Sequence, residues 1–136
     1  MKPQTVLVID DDADDRTFFS EAMKTISPEI HTHLCESGTE AIDLLFNKKI
    51  ISPDFIFLDL NMPAMNGREC LQELRKIIHR GLTKIIVMST SDLVEDMQDS
   101  INLGARLFVT KPDSFEALCN ILKDVLEEKW QKYFLR

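Results

Sequence analysis

VLVIDDDADD, residues 6–15, joins four apolar residues directly to a stretch in which five of six residues are aspartate. The first half has the continuous apolar character of a strand that is covered on both faces of a sheet. The second half crowds like charges, and two unit charges about 4 Å apart repel by about 4 kcal/mol at an effective dielectric constant of about 20. We therefore expect a strand that delivers carboxylates to a site where a positive group offsets their charge.

The rest of the chain alternates short apolar stretches with amphipathic ones. Apolar or β-branched runs predict further strands at residues 30–34, 55–58, 85–88 and 107–109. Apolar residues recur at helical spacing at residues 18–26, 71–78, 94–101 and 118–125. A capping box, Ser37-Gly38-Thr39-Glu40, predicts the start of one more helix, and Gly81 and Gly104 follow the last apolar turns of theirs. Strands separated by single helices run parallel, so the pattern predicts a doubly wound α/β fold.

Composition limits the number of domains and the classes of partner. The chain has 136 residues, of which 44% are hydrophobic, and this suits one domain, residues 1–136, with a buried core. A net charge of −7 and a pI near 4.9 argue against binding to nucleic acid. No apolar run has the length of a membrane span or signal sequence, so we expect a cytoplasmic protein with no membrane partner. Cys35, Cys70 and Cys119 lack C-x-x-C spacing, which favours reduced core thiols.

Polar residues follow four of the predicted strands at the point where each strand ends. Asp10–Asp12 follow the first strand, Asp59 the third, Ser89 the fourth and Lys111 the fifth. In a doubly wound sheet, ligands gather at the carboxyl ends of the strands, so we expect these side chains at one rim. Carboxylates crowded around one point need a cation, and hard oxygen ligands suit Mg²⁺ or Mn²⁺ rather than zinc.

The five clustered aspartates cannot all share one ion. Asp12 stands at the expected N-cap of the first helix, with Asp14 and Asp15 in its first turn, where carboxylates accept free N–H groups and complement the helix dipole. We interpret those three as structural. Asp10 and Asp11 then remain as the metal-binding carboxylates, with Asp11 and Asp12 as the alternative if the strand ends one residue later.

Together these residues resemble the receiver domain of two-component response regulators, of the stand-alone kind with no output domain. The resemblance covers nearly the whole chain and rests on four motifs in family order: Asp10-Asp11, the run from Asp59 to Gly67, the Ser89 hydroxyl, and Lys111-Pro112. It implies a flavodoxin-like (βα)5 fold whose five parallel strands have the order 2-1-3-4-5.

The resemblance also implies the chemistry of the site. Asp59 would accept a phosphoryl group from the phosphohistidine of a sensor histidine kinase or a histidine phosphotransfer protein. Asp10, Asp11 and Asp59, with the backbone carbonyl of Asn61, would hold Mg²⁺, with Mn²⁺ as the substitute. A carboxylate nucleophile attacking phosphorus depends on positioning and on offset charge, which fits this set of groups.

Three further roles follow from the same resemblance. The ammonium of Lys111 would offset charge on the phosphoryl oxygens, and a cis peptide bond to Pro112 would aim it inward. The Ser89 hydroxyl would donate to a phosphoryl oxygen. On phosphorylation, Ser89 would move toward Asp59 and open space for the switch residue Phe108 to turn inward. The chain would then change its binding to a downstream protein or relay the phosphoryl group onward, as a monomer or weak dimer, without being an enzyme acting on other substrates.

Two segments carry expectations about shape. Pro63 and Gly67 would form the loop after Asp59, Pro63 by fixing its own φ and Gly67 by tolerating a positive one. The tail Trp130-Gln131-Lys132-Tyr133-Phe134 would extend the fifth helix, with its aromatic residues either anchoring a partner or packing back on the domain.

Two other functions use some of the same residues. A haloacid-dehalogenase-like phosphatase also combines Mg²⁺ with an aspartate nucleophile, but its D-x-D-x-[TV] motif would require Thr or Val where this chain has Asp14. A degenerate receiver would act only as a binding module, which the complete set of site residues disfavours. Phosphorylation and Mg²⁺ binding distinguish all three.

Overall fold

The computed structural model describes residue 3 and residues 5–62, 67–78, 82–131 and 133–135. Strands and helices alternate until the fifth helix, after which a short sixth strand follows. The strands are β1 (Thr5–Ile9), β2 (His31–Cys35), β3 (Phe55–Asp59), β4 (Lys84–Ser89), β5 (Leu107–Thr110) and β6 (Phe134–Leu135). The helices are α1 (Ala13–Ile26), α2 (Gly38–Phe46), α3 (Gly67–Ile77), α4 (Val94–Asn102) and α5 (Phe115–Leu126). No helix in the described part of the chain is long and apolar enough to cross a membrane.

The sheet confirms the predicted topology. β1 to β5 are parallel and lie in the order 2-1-3-4-5, and their ends fall within two residues of the predicted ones. β6 pairs antiparallel with β5 as an outer strand, which the sequence did not predict. Successive residues of the inner strands face opposite layers of helices, as the continuous apolar runs require.

Each face of the sheet has its own core. Leu7 and Ile9 of β1 belong to a buried cluster with residues of α2, α3 and α4. Val6 and Val8, the alternate residues of the same strand, belong to a second cluster with residues of α1 and α5. This two-sided burial fixes α1 and α5 next to each other, with their N-terminal turns above the carboxyl ends of β1 and β5.

The tail does not extend α5, so that expectation was wrong. The helix ends at Leu126, and Glu128 adopts a positive φ of 58°, which reverses the chain. The indole N–H of Trp130 donates to the Val125 carbonyl at 3.1 Å, and the Tyr133 hydroxyl donates to Asp124 at 2.9 Å. Both aromatic rings pack against the α1–α5 core, which confirms the alternative that the tail packs back on the domain. Lys132 lies outside the described residues.

Local signals account for several helix ends. The Ser37 hydroxyl caps α2 by accepting the N–H of Glu40, and the Glu40 carboxylate accepts the N–H of Glu36. Gly104, with φ of 119°, follows α4, and the bonds from Gly104 N to Ile101 O and from Ala105 N to Ser100 O close a Schellman motif. Gly81, expected to end α3, lies outside the described residues.

Gly67 is required for a reason other than the expected one. Its φ is not positive; instead, a Cβ atom there would overlap the backbone of Leu60, whose carbonyl accepts the Gly67 N–H at 2.9 Å. The absence of a side chain therefore lets the start of α3 approach the end of β3 closely. Pro63 and the rest of residues 63–66 lie outside the described residues.

The cysteines match their predicted role. Cys35 and Cys70 are buried, Cys119 is half-buried, and all three are free. Burial raises the pKa of Cys35 and of Cys70 to about 12, so both remain protonated thiols in the core.

Candidate functional site

Three carboxylates converge at the carboxyl ends of two neighbouring strands. Asp10 and Asp11 follow β1, and Asp59 ends β3, which pairs with β1. Each offers an oxygen within 4.8 Å of the others, and Asp10 and Asp59 are each only 7% exposed. Asp11, the third member, is exposed. Crowded carboxylate oxygens of this kind form a donor set that fits a hard divalent cation.

Asp12 is not part of this convergence. Its Oδ1 accepts the N–H groups of Asp14 at 2.8 Å and Asp15 at 3.0 Å, so it caps α1 as predicted. The structure therefore brings Asp10 and Asp11, rather than the alternative pair Asp11 and Asp12, together with Asp59.

Backbone N–H groups orient the two buried carboxylates. Asp10 Oδ1 accepts the N–H of Asp12 at 2.9 Å, and Asp59 Oδ1 accepts the N–H of Asn61 at 3.1 Å. In both residues, the second oxygen, Oδ2, faces Lys111. The expected role of the Asn61 carbonyl as a metal ligand stays a prediction.

Lys111 is the positive group that the aspartate cluster required. Its Nζ lies 3.1 Å from Asp10 Oδ2, 3.0 Å from Asp15 Oδ2 and 3.4 Å from Asp59 Oδ2. Burial lowers the pKa of this ammonium, but the hydrogen bond to Asp15 and the charges of Asp59 and Asp10 outweigh burial and raise the pKa well above its usual value.

The inward direction of Lys111 does not depend on a cis peptide bond. The described residues contain none, so the Lys111–Pro112 bond is trans and that expectation was wrong. The Lys111 N–H donates to the Ser89 carbonyl at 2.7 Å, which fixes the backbone beside β4. The ion pairs with the carboxylates then hold the side chain over the rim.

The pKa of Asp59 is raised above that of an ordinary aspartate. Burial raises its pKa, and the nearby charge of Asp10 raises it further; Lys111 and the N–H of Asn61 act in the opposite direction, leaving a pKa of about 6. Desolvation thus dominates, and Asp59 is less readily ionised than an ordinary aspartate. A cation bound beside it would favour the charged, nucleophilic form.

Ser89 is fully buried, and its hydroxyl is already oriented by two donors. Its Oγ accepts the side-chain amide of Asn61 at 3.3 Å and the N–H of Ser91 at 3.1 Å. The hydroxyl is the acceptor in both contacts, so neither of them uses its own proton. Ser89 does not cap the next helix, because α4 begins only at Val94.

A chain of hydrogen bonds leads from Ser89 away from the site. Beyond the bond between Ser91 N–H and Ser89, the Ser91 hydroxyl donates to Asp96 Oδ2 on α4 at 2.5 Å. Asp96 Oδ1 in turn accepts from Arg68 on α3 at 2.7 Å. The first turns of α3 and α4 are thus connected to the serine at the end of β4.

Phe108 lies inward in this structure. It is 2% exposed and packs in the same core cluster as Ile101 and Ala105. The inward position expected on phosphorylation is therefore the position that the ring has in the structure. Its role as a switch stays a prediction.

Asp15 is the site residue that sequence reasoning missed. We interpreted it as a helix-terminal charge, and the structure turns its carboxylate to Lys111. The only available signal was its place in the first turn of the helix after β1, because that turn lies over the rim. Asp15 and Lys111 also line a pocket of about 290 Å³ with Asp59, beside the rings of Phe18 and Phe115.

Known proteins resemble this chain over most of its length. A family model described as response regulator receiver domain matches residues 6–123. The nitrate/nitrite response regulator protein NarL of Escherichia coli K12 is 34% identical over 122 residues, which cover 89% of this chain and 54% of NarL. The regulatory protein AtoC of the same strain is 30% identical over 131 residues, which cover 96% of this chain and 27% of AtoC.

Solved structures give the same result for the fold. The crystal structure of the phosphorylated cyanobacterial phytochrome response regulator RcpA is 27% identical to this chain with a TM-score of 0.80, and the match covers 95% of this chain and 94% of RcpA. The chain spans 54% of the length of NarL and 27% of that of AtoC, so it corresponds to one part of those proteins. Because the receiver model covers most of the chain and the strand order agrees with it, the protein belongs to the family of response regulator receiver domains of two-component systems.

Proposed function

We propose that Asp59 is the phosphoacceptor of this receiver domain. The observation that carries the proposal is the convergence of Asp10, Asp11 and Asp59 around one point, with the ammonium of Lys111 lying 3.4 Å from Asp59 Oδ2. A carboxylate nucleophile, a cation-binding set of oxygens and a fixed positive group are the parts that phosphoryl transfer to an aspartate needs.

The donor is the phosphohistidine of a histidine kinase or of a histidine phosphotransfer protein. A carboxylate oxygen of Asp59 attacks phosphorus, a P–O bond forms, and the P–N bond breaks with its electron pair passing to the imidazole. Lys111 offsets charge on the transferred group, and the Ser89 hydroxyl donates to one of its oxygens. Water later cleaves the acyl phosphate, which restores Asp59 and releases inorganic phosphate.

Asp10, Asp11 and Asp59 would hold Mg²⁺ or Mn²⁺ for this reaction. The fit rests on the donor set: three carboxylates that share one point with a single ammonium beside them leave a surplus of negative charge. When bound, the cation would supply positive charge against the negative charge of the transferred phosphoryl group.

The phosphorylated domain then acts through a protein partner rather than on a further substrate. The chain would promote its own phosphorylation and dephosphorylation and change its affinity for a downstream protein. The phosphatase alternative gains no support, because the carboxylate of Asp12, the second aspartate of its motif, caps α1.

Intact-mass measurement after incubation with acetyl phosphate and Mg²⁺ tests the proposal. We expect one added phosphoryl group, lost in Asp59→Asn because an amide is not a nucleophile, and lost in metal-free buffer. Asp113→Asn is the matched control, since it removes a carboxylate from the same pocket and leaves Asp59 in place. Equal labelling of Asp59→Asn and wild type would overturn the assignment, and absence of labelling in the wild type would favour a binding module.

A further inference from the structure

The three carboxylates that contact the ammonium of Lys111 are of two kinds. Asp10 and Asp59 belong to the set of carboxylates that fits a cation, and both are nearly inaccessible to water. Asp15 lies outside that set, on the first turn of α1, and its side chain is 44% exposed. Its contact with Nζ, at 3.0 Å, is nevertheless the shortest of the three.

Geometry limits how Lys111 can respond when a phosphoryl group arrives. An ammonium has three N–H donors, and two of them are used by Asp10 and Asp15. A phosphoryl group on Asp59 adds several oxygens that are strong acceptors, and the third N–H, on the side of Asp59, can serve only one of them. A second bond from Lys111 to the phosphoryl group therefore requires Lys111 to give up a partner. The bond to Asp15, the more exposed carboxylate, costs the least free energy to break, because water can take the place of Lys111 there.

We propose that Asp15 is a positioning residue that competes with the phosphoryl group for Lys111. In the unphosphorylated protein, Asp15 holds the ammonium toward α1. In the phosphorylated protein, the ammonium leaves Asp15 and donates to a phosphoryl oxygen. The proposal rests on the phosphoacceptor role of Asp59 and adds the residue that opposes it.

As a consequence, removal of the Asp15 carboxylate should stabilise the phosphorylated state. Because the contact with Lys111 is broken in the phosphorylated state, its loss by mutation stabilises that state relative to the free one. An ion pair of this exposure corresponds to about a two- to fivefold change in an equilibrium constant.

Beryllium fluoride with Mg²⁺ is a mimic of the phosphoryl group. Its affinity for each variant measures the competition between Asp15 and the phosphoryl group without turnover. In calorimetric titrations, we expect Asp15→Asn to bind the mimic about two- to fivefold more tightly than wild type. Asp14→Asn is the matched control: it removes the same charge from the same turn of α1, and its backbone N–H also bonds to Asp12. Its affinity should stay within about twofold of wild type.

A second readout follows Lys111 itself. Nitrogen NMR of the lysine ammonium groups, assigned with Lys111→Arg, should show the Lys111 signal of the free protein moving in Asp15→Asn and staying in place in Asp14→Asn. Addition of the mimic should bring the wild-type and Asp15→Asn signals to the same position, because both then report the phosphoryl-bound ammonium.

The outcomes distinguish a failure of the competing role of Asp15 from a failure of the phosphoacceptor role of Asp59. If wild type fails to bind the mimic, the phosphoacceptor role of Asp59 is wrong. If wild type binds it and Asp15→Asn behaves like Asp14→Asn, or binds more weakly than wild type, the role of Asp15 as a competitor is wrong and the phosphoacceptor role stands.

Discussion

Two clusters on either side of Ser89 join a basic side chain to several carboxylates, and they differ in burial and in charge balance. In the first, Lys111 contacts Asp10, Asp15 and Asp59, with Asp11 close by. In the second, Arg68 of α3 contacts Asp96 at 2.7 Å and Asp99 at 3.9 Å, both on α4. The side chain of Lys111 is 19% exposed and that of Arg68 is 41% exposed.

The difference shows that uncompensated negative charge is concentrated at the Lys111 cluster. The Lys111 cluster has four carboxylates for one ammonium, and two of them, Asp10 and Asp59, are buried, so the cluster is short of positive charge until a cation binds. The Arg68 cluster is closer to neutral and water screens it, so it links two helices at little cost and with little gain. Predictions about the two clusters therefore differ in size and in their dependence on Mg²⁺.

Removal of the ammonium from the first cluster should have the largest effect. In metal-free buffer, we expect Lys111→Met to lower the free energy of unfolding by about 2–3 kcal/mol, because the buried carboxylates of Asp10 and Asp59 lose the ammonium that contacts both of them. Millimolar Mg²⁺ should recover most of that loss. Urea unfolding with and without Mg²⁺ measures both effects. Lys129→Met, which removes a surface ion pair with Glu127, is the control and should leave the urea midpoint nearly unchanged.

Equal stability of Lys111→Met and Lys129→Met without metal would contradict the difference between the buried Lys111 cluster and a surface ion pair. Lys111 would then add nothing beyond a surface charge, and the carboxylates of the rim would tolerate their own repulsion. A loss in Lys111→Met that Mg²⁺ leaves unchanged would show packing, rather than charge, as the cause.

Acidification should stabilise the metal-free protein through Asp59. Its pKa of about 6 lies above the value of about 3.9 for an unfolded chain, so the folded state binds a proton first as the pH falls. The stability from that proton is fully present below about pH 3.9 and is lost as the pH rises through 6. Between pH 7.5 and pH 5, we expect a gain of about 1 kcal/mol in wild type that is missing in Asp59→Asn.

Paired urea titrations across this range isolate the effect. The contributions of all other groups are common to both proteins, so the difference between wild type and Asp59→Asn reports Asp59. Parallel pH profiles would show that Asp59 keeps an ordinary pKa and that burial is offset by its neighbours.

Breaking the second cluster should have the smallest effect. We expect Arg68→Gln to lower the free energy of unfolding by about 0.5 kcal/mol, since half-exposed ion pairs contribute little. The loss should be the same with and without Mg²⁺ in urea unfolding. A loss above about 2 kcal/mol, or one reversed by Mg²⁺, would mean that the hydrogen-bond chain through Ser91 and Asp96 merges the two clusters into one.

The features that the sequence predicted well are those with a short-range or topological cause. Continuous apolar runs such as residues 6–9 arise because both faces of the strand are buried, so the pattern alone identifies an inner parallel strand. The site residues Asp10, Asp59 and Lys111 could be selected because the carboxyl ends of parallel strands meet at one rim, whatever the details of packing.

The features that were missed depend on packing between distant segments. Asp15 reaches Lys111 because α1 packs beside α5, and no local pattern reports that approach. The tail reverses at Glu128, a residue type that gives no signal for a positive φ, unlike glycine or asparagine. β6 has two residues, too few for an alternating pattern to be seen.

The two-residue strand β6 also determines how other chains can approach the sheet. An uncovered outer strand exposes a row of unpaired N–H and C=O groups, which can template aggregation or accept a strand from another protein. β6 pairs with Leu107 and Phe108, so the apolar β5 is no longer the outer strand on that side. The opposite outer strand, β2, begins with His31-Thr32-His33, which are polar and partly exposed. Both edges of the described sheet therefore resist extension, and partners are expected to recognise helices and loops rather than add a strand.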